Sequence, residues 1–514
     1  MRYENILKKI TYKKIAVVML VLFIIFLLPI IYCSFFDYAN GDDLWEGAAA
    51  YRVLVNHGTF KDFIEAIRDQ ARMDYNGWEG NWSSIILWCL PPNIWGEKVY
   101  CITPWIALLS LCGGTTYFLF FYLKKYLKGN YVFLTIVSII ACFFTIQYMP
   151  NIRNGIYWYT GMINYIFPYG WCLSSFVWID KFLETGKKRY CVFTAIVYAY
   201  VGGAGYPPIV FAFEILFSII VFRLLNRKHR QVHRAFWLCL PLVLLVTGFI
   251  FSAISPGNAV RGGDSYYFSG FRVLTTIFES IKQGGYWAIA RFFTVRPLVL
   301  VAPLLGIVAW EQIDIDKAEL EFRHPVLVIC FLFLVSCSVY APGIYAQSEV
   351  SGGVPDTIYF IFLLSYIFTI IYLTCYFKTI YTKKGWNFLK EETVQKLRGF
   401  IVCGELLFCI VAGRYLVKNM ASYICIDFIR TGQLKDFEYQ MQERLKILND
   451  PEITNAVVPE MNNEQGPFMH MALVKDPNCY TNYATARYYG KETVIALPRI
   501  EYYELFGYPE NYEQ

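Results

Sequence analysis

Charge is scarce in this chain. Lys, Arg, Asp and Glu make up 17% of its 514 residues, against 56% hydrophobic and 19% aromatic residues. Soluble domains carry about 25% charged residues, so the composition excludes an ordinary soluble protein. Histidine is also rare, at 5 residues, and no Cys-x-x-Cys pair occurs among the 15 cysteines. The spacings of zinc and dithiol modules are therefore missing. No internal repeat and no low-complexity segment breaks the chain. The formal net charge is +6, but its cations are spread over separate loops, which excludes nucleic acid as an expected partner.

What the chain has instead is long apolar runs. A membrane-crossing helix needs about 20 mostly apolar residues. Such stretches fall near 15–36, 99–123, 131–149, 163–180, 191–206, 207–224, 235–254, 296–312, 324–343, 357–377 and 399–418. The expectation is an all-α polytopic membrane protein of about eleven transmembrane helices. Residues 1–418 form the membrane domain, and 419–514 form a small α/β C-terminal domain. The first run has a basic flank (Arg2, Lys8, Lys9, Lys13, Lys14), but its core is too long for a cleaved signal and no small-residue cleavage pattern follows Pro29. It reads as a signal anchor with the N-terminus inside.

Lys and Arg favour the cytoplasmic side in short loops. Lys124, Lys125 and Lys128, then Lys181 to Arg189, then Arg223 to Arg234, then Lys317 and Arg323, then Lys378 to Arg398 mark alternate loops as inside. That places 37–98, 150–162, 255–295, 344–356 and the tail outside. Most cysteines sit within the spans, where a free thiol acts as a small hydrophobe. Cys425 and Cys479 both lie in the tail, where pairing is open to them.

The first outside loop begins DYANGDDLWEGAAAYRV, with Asp37, Asp42, Asp43 and Glu46 within ten positions of one another. Leu44, Ala48, Tyr51 and Val55 recur at helical spacing, as on an amphipathic helix at the membrane surface. Asp43 and Glu46 fit a capping arrangement at the start of that helix. Asp42 is not needed for it. A carboxylate partly desolvated at the boundary has a raised pKa and suits a base.

Three further outside stretches stand out. NWSSIILW, 81–88, is a rim of tryptophan and polar groups leading back to the membrane. Asn151 to Trp171 packs aromatics, Trp158 among them, around Arg153, Asn154, Thr160 and Asn164. Ser255 to Tyr267 is a Pro-Gly turn carrying Asn258 and Arg261. An interfacial aromatic belt explains most of the rings. Arg153 and Arg261 run against the charge bias of outside loops. A planar guanidinium suits phosphate, and both a substrate and ordinary lipid headgroups remain open as its source.

The Asp-Asp after the first span, the Trp-Tyr-Thr-Gly-x-x-Asn-Tyr of Trp158 to Tyr165 and the Pro-Gly-Asn-x-x-Arg of Pro256 to Arg261 together resemble an uncharacterised family of bacterial multi-pass membrane proteins. The tail resembles that family too, in NAVVPEM, YTNYATARYYG and ETVIALP. The family in turn is similar to the GT-C glycosyltransferases, including the O-antigen glucosyltransferase type. The resemblance implies a GT-C-like fold in the bacterial cytoplasmic membrane. It implies an inverting enzyme that takes a sugar from a polyprenyl-phosphate donor to a glycan, lipid or protein acceptor on the outer face. Asp42, with Asp43 as second choice, would be the base. Arg153 and Arg261 would hold the lipid phosphate, and Trp158, Asn164 and Asn258 would contact the sugar, although turn-stabilising roles suit the asparagines equally. The Asp-Asp pair departs from the Asp-Glu of some relatives. No metal set is evident, and no cofactor is implied.

Two other classes remain open. A lipid-linked sugar transporter or flippase would place ionisable groups inside spans; Glu214 and Glu405 are the candidates. A non-catalytic envelope assembly or sensor protein would work through the tail, which is long enough for a small domain. His470 stands alone there and suggests no nucleophile chemistry.

Overall fold

The computed structural model describes residues 11–225, 231–262, 270–295, 297–346, 352–386, 399–400, 404, 407, 410–411, 413–462 and 464–508. Helix α1 (Tyr12–Ser34) starts at Thr11, whose hydroxyl accepts from the Lys14 amide. Three short helices follow: α2 (Asp42–Val55), α3 (Phe60–Gly77) and α4 (Trp82–Trp88). Helix α3 is set by a reciprocal cap between Thr59 and Asp62. Then come α5 (Ile102–Leu127), α6 (Tyr131–Gln147), α7 (Phe167–Thr185), α8 (Lys188–Val201), α9 (Tyr206–Leu225) and α10 (Cys239–Ala253). The membrane part is completed by α11 (Pro256–Gly262), α12 (Gly270–Thr294), α13 (Leu298–Gln312), α14 (Pro325–Ser338) and α15 (Val354–Lys383).

Among the described residues, six helical stretches are long and apolar enough to cross a membrane: Tyr12–Ser34, Glu97–Leu127, Tyr206–Leu225, Val232–Ala253, Pro325–Ala346 and Val354–Lys383. Two shorter apolar helices, Tyr131–Gln147 and Leu298–Gln312, stand beside them. The protein is thus an all-α membrane protein with a small strand pair. The span expected at 399–418 lies partly outside the described residues, and Glu405 is among those outside. The 255–295 stretch, expected as a loop, contains α12, 25 residues long. That helix is reversed in polarity: Phe271, Leu274 and Phe278 are exposed while Thr276 and Ser280 are buried. Its outward apolar face masked the signal, because Arg272, Glu279, Lys282 and Arg291 interrupt the run.

The bundle has two chemically distinct ends. At one, Lys125 Nζ lies 2.6 Å from Asp180 Oδ2, and Lys128 pairs with Glu319. Arg234 donates to the Glu184 carbonyl at 3.0 Å, and Lys378 to that of Ile313 at 2.6 Å. The cation-rich loops therefore meet one another. An apolar cavity of about 340 Å³, lined by Tyr122, Tyr126, Phe322 and Tyr372 among others, lies at this end. The other end gathers α2, α3, the 150–166 segment and α11. Between the ends, Gly114 of α5 and Gly170 of α7 let two backbones touch. A Cβ on Gly114 would run into the Gly170 carbonyl, and one on Gly170 into Ser110. This is the close approach that small residues give membrane helices.

The C-terminal part comprises α16 (Ala421–Arg430), α17 (Gln433–Leu448), β1 (Asn455–Pro459), α18 (Tyr480–Tyr489), β2 (Thr493–Leu497) and α19 (Arg499–Phe506). β1 and β2 pair in parallel, Asn455 opposite Thr493 and Pro459 opposite Leu497. A parallel pair needs a crossover, and α18 lies within it. Cys425 and Cys479 do not pair. Cys425 is buried 3.4 Å from the Tyr157 hydroxyl, and Cys479 lies 3.6 Å from that of Thr481.

Candidate functional site

The two adjacent aspartates part company at the start of α2. Gly41 precedes the helix at φ 52°, with no side-chain cap. A Cβ there would strike Met471 of the tail. Successive side chains on a helix diverge by about 100°, so one aspartate faces the bundle and the other the tail. Asp43 goes inward. Its Oδ1 accepts from the Thr160 amide at 3.0 Å and the Thr160 hydroxyl at 2.7 Å, and its Oδ2 from the Tyr100 hydroxyl at 2.5 Å. Tyr100 in turn accepts from the Tyr159 amide at 3.0 Å. The expected capping role of Asp43 is therefore replaced. It is a fully buried anchor that fixes the 157–160 segment onto α2. Burial, only partly offset by the Tyr100 and Thr160 bonds, pushes its pKa up to about 7.

Asp42 is half-buried and turns to the tail, where the Tyr480 hydroxyl donates to its Oδ1 at 2.7 Å. Burial raises its pKa, the Tyr480 bond and the Arg261 charge lower it, and Asp74 raises it. Glu46, one turn on, is buried against Asp74. Burial first, and the Asp74 charge second, lift it well above the ordinary glutamate value. Asp74 on α3 is held by Trp45 Nε1 at 3.2 Å and Gln70 Nε2 at 2.8 Å. Arg487 of α18 donates to Gln70 Oε1 at 2.6 Å and stacks over Trp45 at 4.4 Å. Beyond α3, buried Glu79 pairs with Arg261, whose guanidinium also lies 4.8 Å from the centre of the exposed Trp78 ring. Desolvation raises Glu79 and the Arg261 charge opposes it.

The tail is fastened over this wall. Tyr51 and Tyr488 stack at 4.1 Å with an interplanar angle of 3°. The Tyr488 hydroxyl donates to the Asn93 carbonyl at 3.1 Å, and that of Tyr489 to Glu97 at 2.7 Å. Asn40 donates to the Met469 carbonyl at 2.6 Å and accepts from the Met471 amide at 3.0 Å.

The other candidates fall at different places. Arg153 is exposed and donates to the Gly466 carbonyl at 3.0 Å. The charges that bear on Asp42 are Arg261 and Asp74. Asn258 is committed to backbone: its amide donates to Ser252 at 2.7 Å and to Ala253 at 3.3 Å and accepts from Gly80 at 3.0 Å. Trp158 precedes the Thr160 anchor, its indole N–H buried with no partner among the described residues. Asn164 Oδ1 is likewise buried without a partner there, while its carbonyl accepts from Gly205 at 3.0 Å. Neighbouring Tyr165 lies within the fields of Glu79 and Arg261, so the 158–165 motif borders the wall.

The chain matches no protein-family model and no curated protein.

The arrangement can hold a neutral or cationic ligand's donors against Asp42, and an anion at Arg261. Among the described residues, no three His, Cys, Asp or Glu side chains are grouped to hold a metal ion. Glu214, the intramembrane candidate, accepts from Ser338 at 2.8 Å. The sequence reading overlooked Glu79, Asp74, Arg487 and Tyr480. Tyr480, Tyr483 and Arg487 recur at i, i+3 and i+7, so one face of α18 carried a readable signal.

Proposed function

We propose that the protein is a GT-C-type glycosyltransferase, moving a sugar from a polyprenyl-phosphate donor to an envelope acceptor at the outer face of the bacterial cytoplasmic membrane. In this reading the Asp42 end faces outward, and the cation-rich end faces the cytoplasm, as the positive-inside bias favours. The finer architecture of about eleven crossings belongs to the same proposal.

Asp42 accepts the proton of an acceptor hydroxyl. The acceptor oxygen bonds to the anomeric carbon, the bond from that carbon to the phosphate oxygen breaks, and polyprenyl phosphate leaves with the electron pair. A single displacement inverts the anomeric centre. Arg261 stabilises the departing phosphate. It is paired with Glu79, so the phosphate competes with that carboxylate. Glu79 is buried with a raised pKa, which eases its protonation when the phosphate arrives. Asp43 serves by position alone, holding α2 and the Trp158 motif in register.

One observation carries the reading. Asp42 is a half-buried carboxylate held by a tyrosine hydroxyl, with its pKa raised by burial and a guanidinium in its field. A base of this kind contributes about 10²–10⁴ in rate. Asp42→Asn protein in membranes is expected to insert normally and lose transfer from a polyprenyl-phosphate sugar by that factor. Absence of transfer in the wild type, together with loss of function in Glu214→Gln, would instead identify a transporter.

A further inference from the structure

The aromatic residues at the mouth of the wall are not packed away. Tyr480 and Tyr483 are 45% and 55% exposed, on a helix whose opposite face buries Thr481, Ala484, Thr485 and Tyr488. Both rings lean on half-buried Trp45, at centroid distances of 5.9 and 5.7 Å. Trp45 is itself fixed, by its N–H bond to Asp74 and by Arg487 above it. The result is a rigid three-ring surface ending at the Asp42 carboxylate.

Its surroundings decide what it fits. Asp42, Glu46 and Asp74 all bear on the Tyr480 ring, and Arg487 is the cation beside it. An acidic glycan stacked on these rings would bring its charge against the Asp42 and Asp74 carboxylates. A purely apolar partner would cover the rest of the Asp42 carboxylate and the Tyr483 hydroxyl without giving either a hydrogen bond. A neutral saccharide satisfies both: its hydroxyls donate to carboxylates, and its C–H faces, weakly positive, lie against the electron-rich faces of the rings.

We propose that Trp45, Tyr480 and Tyr483 form a subsite for a neutral oligosaccharide, which is the acceptor of the reaction. The acceptor role rests on the glycosyltransferase reading; the binding does not. A sugar residue stacked there projects its next hydroxyl toward Asp42, so the subsite selects the acceptor and orients it.

The test uses the full-length protein in detergent micelles. Saturation-transfer NMR is run with three probes: maltohexaose, cellohexaose and N-acetylchitohexaose. Saturation of aromatic protons is expected to pass to ring C–H protons of at least one. Tyr483→Ala should weaken that binding about tenfold, the worth of one aromatic contact. Tyr439→Ala, an exposed tyrosine on α17, should leave it unchanged. In the transfer assay Tyr483→Ala should raise the acceptor KM and spare kcat. Absence of saturation transfer to all three probes in the wild type, or Tyr483→Ala binding and KM equal to wild type, overturns the subsite. If binding is lost in Tyr483→Ala yet Asp42→Asn transfers sugar normally, the subsite stands and Asp42 falls as the base.

Discussion

Removing the Asp43 carboxylate strands three donors at once: the Thr160 amide, the Thr160 hydroxyl and the Tyr100 hydroxyl. Buried donors left unpaired cost about 1–3 kcal/mol each, and Tyr100 keeps the Tyr157 carbonyl, 3.2 Å away, as a fallback. Asp43→Ala is therefore expected to destabilise by about 2–4 kcal/mol, read from the thermal midpoint in detergent. The pH dependence has a definite sign. Asp43 holds its proton up to about pH 7 when folded, against 3.8 for an ordinary aspartate. Between those values the folded state binds more protons than the unfolded one, so stability is greatest at the acid end. It falls as pH rises and is lowest above about 7. The midpoint should drop between about pH 4 and about pH 7, and Asp43→Asn should flatten that slope. Sequence alone made both aspartates visible but gave their roles poorly. The cap expected of Asp43 is a local interaction, whereas its partners come from positions 100 and 160, which spacing does not reveal.

Helices α5 and α7 are joined through glycine. A Cβ at Gly114 or Gly170 meets backbone of the opposite helix, and at Gly170 the Ser110 hydroxyl as well, so turning a side chain aside does not make room. Gly170→Val is expected to force the helices apart, lower the yield of folded protein and reduce its thermal midpoint. The control is Gly113→Ala, one position from Gly114 with open space around its Cβ; its midpoint should match wild type. A midpoint unchanged in Gly170→Val would show that the helices are held by other contacts. The elements themselves were largely legible, since apolar runs declare membrane helices directly. Helix α12 was not, because its buried face is polar and its exposed face apolar, the reverse of the pattern in a water-soluble protein. The crossing at Gly114 was hidden for a simpler reason: one sequence does not say which helices are neighbours.

Across the whole molecule, the tail and the first acidic loop occupy the same end, and the cation-rich loops the other. Single cysteines introduced at exposed His57, Tyr439 and Lys187, with the reactive native thiols replaced, report this directly. An impermeant reagent added to intact cells should label the first two positions and spare the third. Labelling at Lys187 alone would invert the proposed orientation, and labelling of only one of His57 and Tyr439 would contradict their shared end. A division at 418/419 was the expectation, placed where the last apolar run ends. The contact between the two sides was not legible, because the Tyr480–Asp42 bond spans 438 positions. Sequence separation of that size leaves no local trace, and the tail looked like an appendage.

The Tyr480–Asp42 bond also has a consequence for biosynthesis. The ribosome delivers α2 and its carboxylates early, but α18 emerges more than four hundred residues later. Until then the Asp42 carboxylate has no phenol to hold it and the Trp45 ring has neither of its tyrosine neighbours. A nascent chain halted anywhere before Tyr480 therefore carries half a site. The protein acquires its full constellation only after every helix before α18 has been made and the tail has reached the same side as the loop it covers.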